Sequence, residues 1–520
     1  MGATASVLIA RGLVVKRRTI LGESLTAACF LAVLTGWPLM LSADWDVPLG
    51  SWVYRDLDRL AAEGLIESNA LDSRPISRRA AAELVLEAQG LAIQRKEHRF
   101  DETIERLTKE FECEISDIRA GTRTSYVRPI DRMRLGYFFV EGVPDIFNDR
   151  GRVYHEQSNA LLDVSGGFQK GRLSGFIMWE GRWLNKTDVE EEKFGGRIEE
   201  GYLRMKSGKF FTEVGRESLW WGPGRHGALL LSDNAFPFDV VRIGNDEPFM
   251  LPGLFSHLGL ISLEAFWTEL EDDRDFPDAN LLGMRLNLKL TADVDVGILR
   301  TAMFGGKGRA VTWDTIWEVL SGQSENDPGG PGNQLASVYW RWRFPFDAQP
   351  LEFYGEWGGE DQADPLYFTK QAILSGLYFP RIGYSKSFDL RLEYADTYLG
   401  GHEGNPMVWY NHGVYTDGYT YEGRVIGHHA GTDARDYYIE LGWFPVDSVR
   451  LSFSWDYEER MLSQPFPEEH TELAVGMEWH QSEDIVFEGT YMFERTDNAG
   501  FVSGAEESAS RLNIAVEYKF

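Results

Sequence analysis

The sequence predicts a mainly β fold: a transmembrane antiparallel β-barrel of about eighteen strands behind a small N-terminal periplasmic α-helical bundle. Period-two alternation of apolar and polar residues starts near Arg132 and continues to the end of the chain. The connections between the alternating segments are short and long by turns, and the last strand closes on an aromatic residue, Phe520. Composition agrees, because 54 Gly, 13% aromatic residues and a mean hydropathy of -0.31 disfavour a bundle of membrane helices. Beyond the N-terminal leader, no segment offers the uncharged apolar run of about 20 residues that a membrane helix needs.

Residues 1–43 have the layout of a signal peptide. Lys16, Arg17 and Arg18 precede the apolar stretch Leu25 to Leu41, and Leu41-Ser42-Ala43 forms a small-residue cleavage site. The segment before Lys16 is long for a charged leader, so translation is expected to begin near Leu13 or Val15. Cys29 lies inside the apolar run and is a poor acylation site. Removal of the leader leaves Cys113 as the lone cysteine, so no internal disulfide forms. The net charge of -29 becomes still more negative on that removal, which repels nucleic acid and anionic lipid alike.

Residues 44–120 carry helical periodicity. Ser51 is placed to cap a helix with Val53, Leu57, Leu60 and Ala61 on one face, ended by Gly64. A second helix runs from Ser77 to Gly90, and a third aligns Ile104, Leu107, Phe111, Ile115 and Ile118. Together they make a small bundle docked on the barrel's periplasmic rim. The run Val53-Tyr54-Arg55-Asp56-Leu57 to Ile66, followed by Arg74-Pro75-Ile76-Ser77, also resembles one S-layer homology repeat. That resemblance implies a cell-wall polymer such as peptidoglycan as a second partner.

Residues 121–520 form the barrel. Leu282, Met284, Leu286, Leu288 and Leu290 alternate with Gly283, Arg285, Asn287 and Lys289. Val449 to Tyr457 and Leu473 to Trp479 repeat the pattern, as does the last strand, Leu512 to Phe520. Soluble sandwiches alternate too, so loop parity is the discriminator. Short turns fall near Lys170-Gly171, Ser207-Gly208, 291–293, 346–349, 385–387, 445–447 and 481–483, and long connections at 304–333, 360–370, 397–433, 459–470 and 496–508. Five strands precede Arg216 and twelve follow Pro252. Parity therefore demands one inward-running strand between them, around Phe238 to Ile243.

Two aromatic, polar segments are then expected at the outer mouth. The first, Glu217 to Pro237, holds Trp220, Trp221, Arg225, His226 and Asn234 around Gly222-Pro223-Gly224. Indole faces stack on sugar C–H surfaces, and arginine binds uronate or phosphate bidentately, so a polysaccharide site fits. A plug in which the tryptophans pack and Arg225 meets lumen carboxylates fits as well. The second segment, Asp396 to Asp433, holds Trp409, Tyr410, His412, Tyr415, Tyr419 and Arg424. His428 and His429 are adjacent, and neighbours in an extended chain point apart, so no metal site and no cofactor is expected. On the barrel wall Arg341, Arg343, Glu352, Glu356, Arg391 and Glu393 share the polar side and predict a lumenal ion-pair network. Interleaved arginines keep such acids ionised, which argues against a glycosidase, and no nucleophilic triad spacing is present; the chain is not expected to be an enzyme.

The phrase Arg216 to Ala235, the head's Val53-Tyr54-Arg55-Asp56-Leu57, the strand end Leu392 to Thr397 and the loop Trp409-Tyr410-Asn411-His412-Gly413 together resemble the Wzi family of capsule-assembly outer-membrane proteins. The resemblance spans nearly the whole mature chain. It implies an eighteen-stranded barrel in the outer membrane that binds and anchors capsular or exopolysaccharide at the cell surface, as a lectin rather than a conduit. The expected partners are that polysaccharide and outer-membrane lipids, the expected state a monomer. A diffusion porin is the alternative.

Overall fold

The computed structural model describes residues 44–520 apart from 69–70, 187–192, 322–331, 365–366 and 400–407. The expected signal peptide, 1–43, lies outside the described residues.

The head is helical, as its periodicity predicts. Helices α1 (Val53–Ala62), α2 (Arg78–Arg95), α3 (Asp101–Glu110) and α4 (Glu112–Ala120) enclose a core that includes Leu57, Leu60, Leu84, Val85, Leu107 and Phe111. Ser77 caps α2 by accepting from the Ala80 amide at 3.2 Å. Two boundaries differ from expectation. Helix α2 runs through Gly90 to a left-handed cap at Lys96, since one glycine costs only about 1 kcal/mol inside a packed helix. The third expected helix breaks in two at Phe111, whose backbone (φ -108, ψ 25) leaves the helical region while its ring stays buried.

The wall is a closed antiparallel barrel, and among the described residues it has 18 long strands. They are β1 (Tyr126–Glu141), β2 (Gln157–Lys170), β3 (Leu173–Leu184), β4 (Lys193–Ser207), β5 (Phe210–Glu217), β6 (Phe238–Asn245), β7 (Leu260–Glu269), β8 (Ala279–Lys289) and β9 (Val294–Gly305). The second half comprises β10 (Gly332–Phe344), β11 (Leu351–Asp364), β12 (Tyr367–Phe379), β13 (Phe388–Asp396), β14 (Ala434–Val446), β15 (Val449–Arg460), β16 (Glu468–His480), β17 (Ile485–Asp497) and β18 (Glu506–Lys519). Strand β18 pairs with β1 from Arg132↔Lys519 to Glu141↔Ser510, which closes the sheet. The inward strand demanded by parity is β6. One expected long connection, 360–370, is instead largely strand, because β11 and β12 pair as far as Asp364↔Tyr367.

Alternation sets the two faces. Leu473, Val475, Met477, Trp479, Ile514 and Tyr518 are exposed on the outside, whereas Arg341, Arg343, Glu352 and Asp295 are buried inside. The head covers the end of the barrel that carries Phe520. Arg55 grips Glu478 at 2.6 and 2.7 Å, Arg106 donates to the Asp447 carbonyl at 2.9 Å, and Lys519 reaches Glu110 at 3.1 Å. Near the entry of the chain Arg204 pairs with Asp46 and, at 2.8 Å, with Glu213, anchoring the first head residues inside the wall.

Candidate functional site

Strands β5 and β6 are only 8 residues each, so the connection 218–237 starts partway along the wall and turns into the lumen. It does not form the far mouth as the sequence reading expected; it runs to the head. Trp220 and Trp221 pair in antiparallel register with Arg74 and Ser73, and the Gly222 amide donates to the Asp72 carbonyl at 2.8 Å. Gly222 is obligatory here: its φ is 125°, and a Cβ would lie 2.8 Å from a Glu356 carboxylate oxygen. Arg225 holds Asp58 bidentately at 2.7 and 2.9 Å, with Arg74 on the same carboxylate at 2.6 Å. Burial works against the Asp58 charge, yet Arg225 and Arg74 outweigh it and hold the carboxyl below its ordinary range.

The second connection, described from 408 to 433, folds in from the far end and locks onto the first. The Tyr410 hydroxyl donates to the Leu229 carbonyl at 2.5 Å and accepts from the His428 amide at 2.8 Å. The Tyr419 hydroxyl donates to the Leu230 carbonyl at 2.9 Å. Ser232 donates to Gly427 and Asn234 to Val425, and Trp221, Leu229 to Leu231, Trp409, Tyr415 and Ile426 share one buried core. These hydrogen bonds satisfy backbone groups that the lumen would otherwise strand away from water.

The expected sugar-stacking rings are therefore covered. Trp221, Tyr415 and Tyr419 have no exposed surface, and Trp220, Trp409, Tyr410, His226 and Asn234 are buried as well. His412 and Arg424 are half-buried near the far end, where His412 accepts from the Val414 and Tyr415 amides and Arg424 donates to the Ile146 carbonyl.

The wall charges expected to form one network divide by role. Arg341 and Arg343 both pair with Glu352 (2.9 and 3.2 Å) and reach Asp72 and Asp295 at 2.5 and 2.7 Å. Among the described residues Glu356 has no ion pair of this kind; it accepts from Ser337 at 2.7 Å and from the Leu229 amide at 3.2 Å. Glu393 likewise accepts the Arg225 and His226 amides at 2.7 and 3.0 Å, while Arg391 lies 3.9 Å from it and donates to Tyr354. The last two acids act as backbone acceptors that seat the first loop.

Sequence reasoning missed Asp58 and Asp72 of the head, and Asp436, Asp456 and Glu458 of the wall. Asp436 lies opposite Glu458, and Tyr438 opposite Asp456, on β14 and β15. All three carboxylates gather around the histidines of the two loops. His226 approaches Asp456 at 3.1 Å and Asp436 at 3.5 Å, and His429 approaches Asp436 at 3.2 Å and Glu458 at 3.0 Å. The signal available in the sequence was the polar-side position of these acids; the pairing register that opposes them was not. His428 and His429 do not point apart as expected: the chain is not extended there, and their rings stack at 4.5 Å.

A closed wall, a lumen occupied by the chain's own loops and a head sealed to one end define a plugged transmembrane β-barrel. Residues 140–510 match the family described as capsule assembly protein Wzi, and the chain belongs to that family. The solved structure of Wzi from Escherichia coli, described as an outer membrane protein involved in group 1 capsule assembly and a carbohydrate-binding β-barrel, is 18% identical, with a TM-score of 0.69 over 93% of this chain and 100% of that one. An uncharacterized 55.8 kDa protein in the cps region of Klebsiella pneumoniae is 24% identical over 197 residues, 36% of this chain. The match spans 39% of that relative's length.

Proposed function

We propose that this chain is a non-enzymatic, lectin-like outer-membrane protein that binds capsular or exopolysaccharide and holds it at the cell surface, with its helical head in the periplasm. The observation that carries this reading is the double plug: two loops interlocked inside the barrel leave the far surface, not the lumen, to meet polymer. Family membership and the carbohydrate binding described for the Escherichia coli relative support the same reading. The buried rings Trp220, Trp221, Trp409, Tyr410, Tyr415 and Tyr419 then act as scaffold, and Arg225, His226 and Asn234 hold the loops. Polymer contact falls to the half-buried His412 and Arg424, whose guanidinium suits an acidic sugar. A head facing the periplasm stands where it can meet peptidoglycan.

The test is retention of the host's own acidic polysaccharide by the purified barrel in detergent. Retention by the wild type with a loss of about tenfold in the His412→Ala, Arg424→Ala double variant is the expected result, equivalent to about 1.4 kcal/mol. Failure of the wild type to retain polymer would overturn the reading. Equal retention by the double variant would move the contact elsewhere on the surface.

A further inference from the structure

We propose that His226, His429, Asp436 and Asp456 form a buried site for one divalent transition-metal ion of the zinc class, which clamps both inward loops to the barrel wall. The four ligand atoms all lie within 4.8 Å of one another, and every one of these residues is buried. Two come from the loops, His226 from the first and His429 from the second, and two from neighbouring strands, β14 and β15.

The spacing is that of a coordination shell. Ligands at about 2.0–2.1 Å from a tetrahedral zinc stand roughly 3.3 Å from one another. The observed edges are 3.1 Å from His226 Nε2 to Asp456, 3.5 Å from His226 Nε2 to Asp436 and 3.2 Å from His429 Nε2 to Asp436. Two imidazoles with two carboxylates also suit zinc by ligand type.

A second observation separates this cluster from an ordinary ion-pair knot. Among the described residues no aligned hydrogen bond reaches either ring nitrogen of His429 or either carboxylate oxygen of Asp436, although both side chains are more than nine-tenths buried and His429 Nε2 stands 3.0 and 3.2 Å from Glu458 and Asp436. Such orphaned groups are rare in folded interiors and call for an occupant. Their lone pairs converge instead of meeting donors. The remaining acids make an empty centre costly, since Asp436, Asp456 and Glu458 crowd negative charge into one buried volume.

The surroundings fix ring orientation, as outer-shell groups do in metal sites. His226 stacks on Tyr438 at 3.8 Å and 9°, and His429 on Phe147 at 4.1 Å and 13°. His428 is excluded from the ligand set. The Ala430 amide donates to its Nδ1 at 3.4 Å, which occupies that lone pair, and its Nε2 stands 3.7 Å from Asp436, outside the shell. Gly227 makes room for it, because a Cβ there would come within 2.2 Å of the His428 ring. Arg460 holds one oxygen of Glu458, and the other stands 3.0 Å from His429 Nε2 at the rim of the cluster.

The site is tested on the full chain, isolated without a histidine tag from membranes in mild detergent. Elemental analysis should find about one zinc per chain, falling at least tenfold in His429→Ala and in Asp436→Asn but unchanged in His428→Gln. Protein unfolded with a chelator and refolded in detergent should bind one equivalent of Co²⁺ with the visible absorption of a tetrahedral N/O site, displaced by Zn²⁺. Wild-type protein with native near-UV circular dichroism that contains no transition metal and takes up neither ion would overturn the proposal. So would equal metal content in wild type and His429→Ala, which requires no refolding to measure.

Discussion

The connections 218–237 and 408–433 turn into the barrel, whereas residues 306–321 turn outward, and the contrast shows what each course demands of a sequence. The inward loops meet charged and hydrogen-bonding partners at nearly every turn: Asp58, Asp72, Glu356 and Glu393 for the first, Leu229, Leu230 and Ser232 for the second. The outward connection needs only an apolar stripe. Helix α5 (Trp313–Ser321) buries Val319 against Leu282, Ala302 and Phe304 on the outward side of the wall, and Arg300 donates to the carbonyls that end it. Its Trp313 and Trp317 are 85% and 67% exposed, continuous with the apolar outer band. Aromatic rings at that level suit a lipid interface.

The comparison breaks most easily at Arg225. Arg225→Ala leaves Asp58 buried with only Arg74, and the expected loss is about 3–5 kcal/mol of resistance to urea, followed by tryptophan near-UV circular dichroism. A loss under about 0.5 kcal/mol would show that the head does not hold the loop.

Much of this architecture was legible in the chain. Alternation and loop parity placed the strands, including the short inward β6, because a period of two survives in any strand with one apolar face. The course of the loops was not legible. Trp220, Trp221 and Trp409 are as suitable for stacking on sugar as for core packing, and only the partners decide. Those partners, Ser73 and Arg74 for the tryptophan pair and Gly358 beside Trp409, are distant in sequence. Likewise 397–433 and 304–333 had similar length, and the difference lay in the stripe of Trp313, Ile316, Trp317 and Leu320, which repeats at helical spacing.

A smaller effect is expected at the clasp between the loops. Tyr410→Phe strands the Leu229 carbonyl and Tyr419→Phe the Leu230 carbonyl, each costing about 1–3 kcal/mol in the same melt. The pair should be less than additive, since both rings close one interface.

The link to the head should also fail in acid. The Asp58 carboxyl is depressed in the folded chain, so its contribution is fully present above the ordinary carboxylate value of about 3.9 and is lost progressively as pH falls from there through the depressed folded value. Limited proteolysis should therefore release the head progressively as pH falls from 4 towards 2, and Asp58→Asn should lessen that pH dependence. Smallest of all, Trp313→Ala with Trp317→Ala should move stability by less than about 0.5 kcal/mol, because both rings are outside the packed core. A larger change would mean that the outward helix is structural after all.

The plug itself is tested most directly by conductance of the purified protein in a planar lipid bilayer. Wild type should be silent, and replacing 218–237 with a short glycine-serine linker should produce discrete open-channel steps. Steady ion conduction by the wild-type chain would contradict the account.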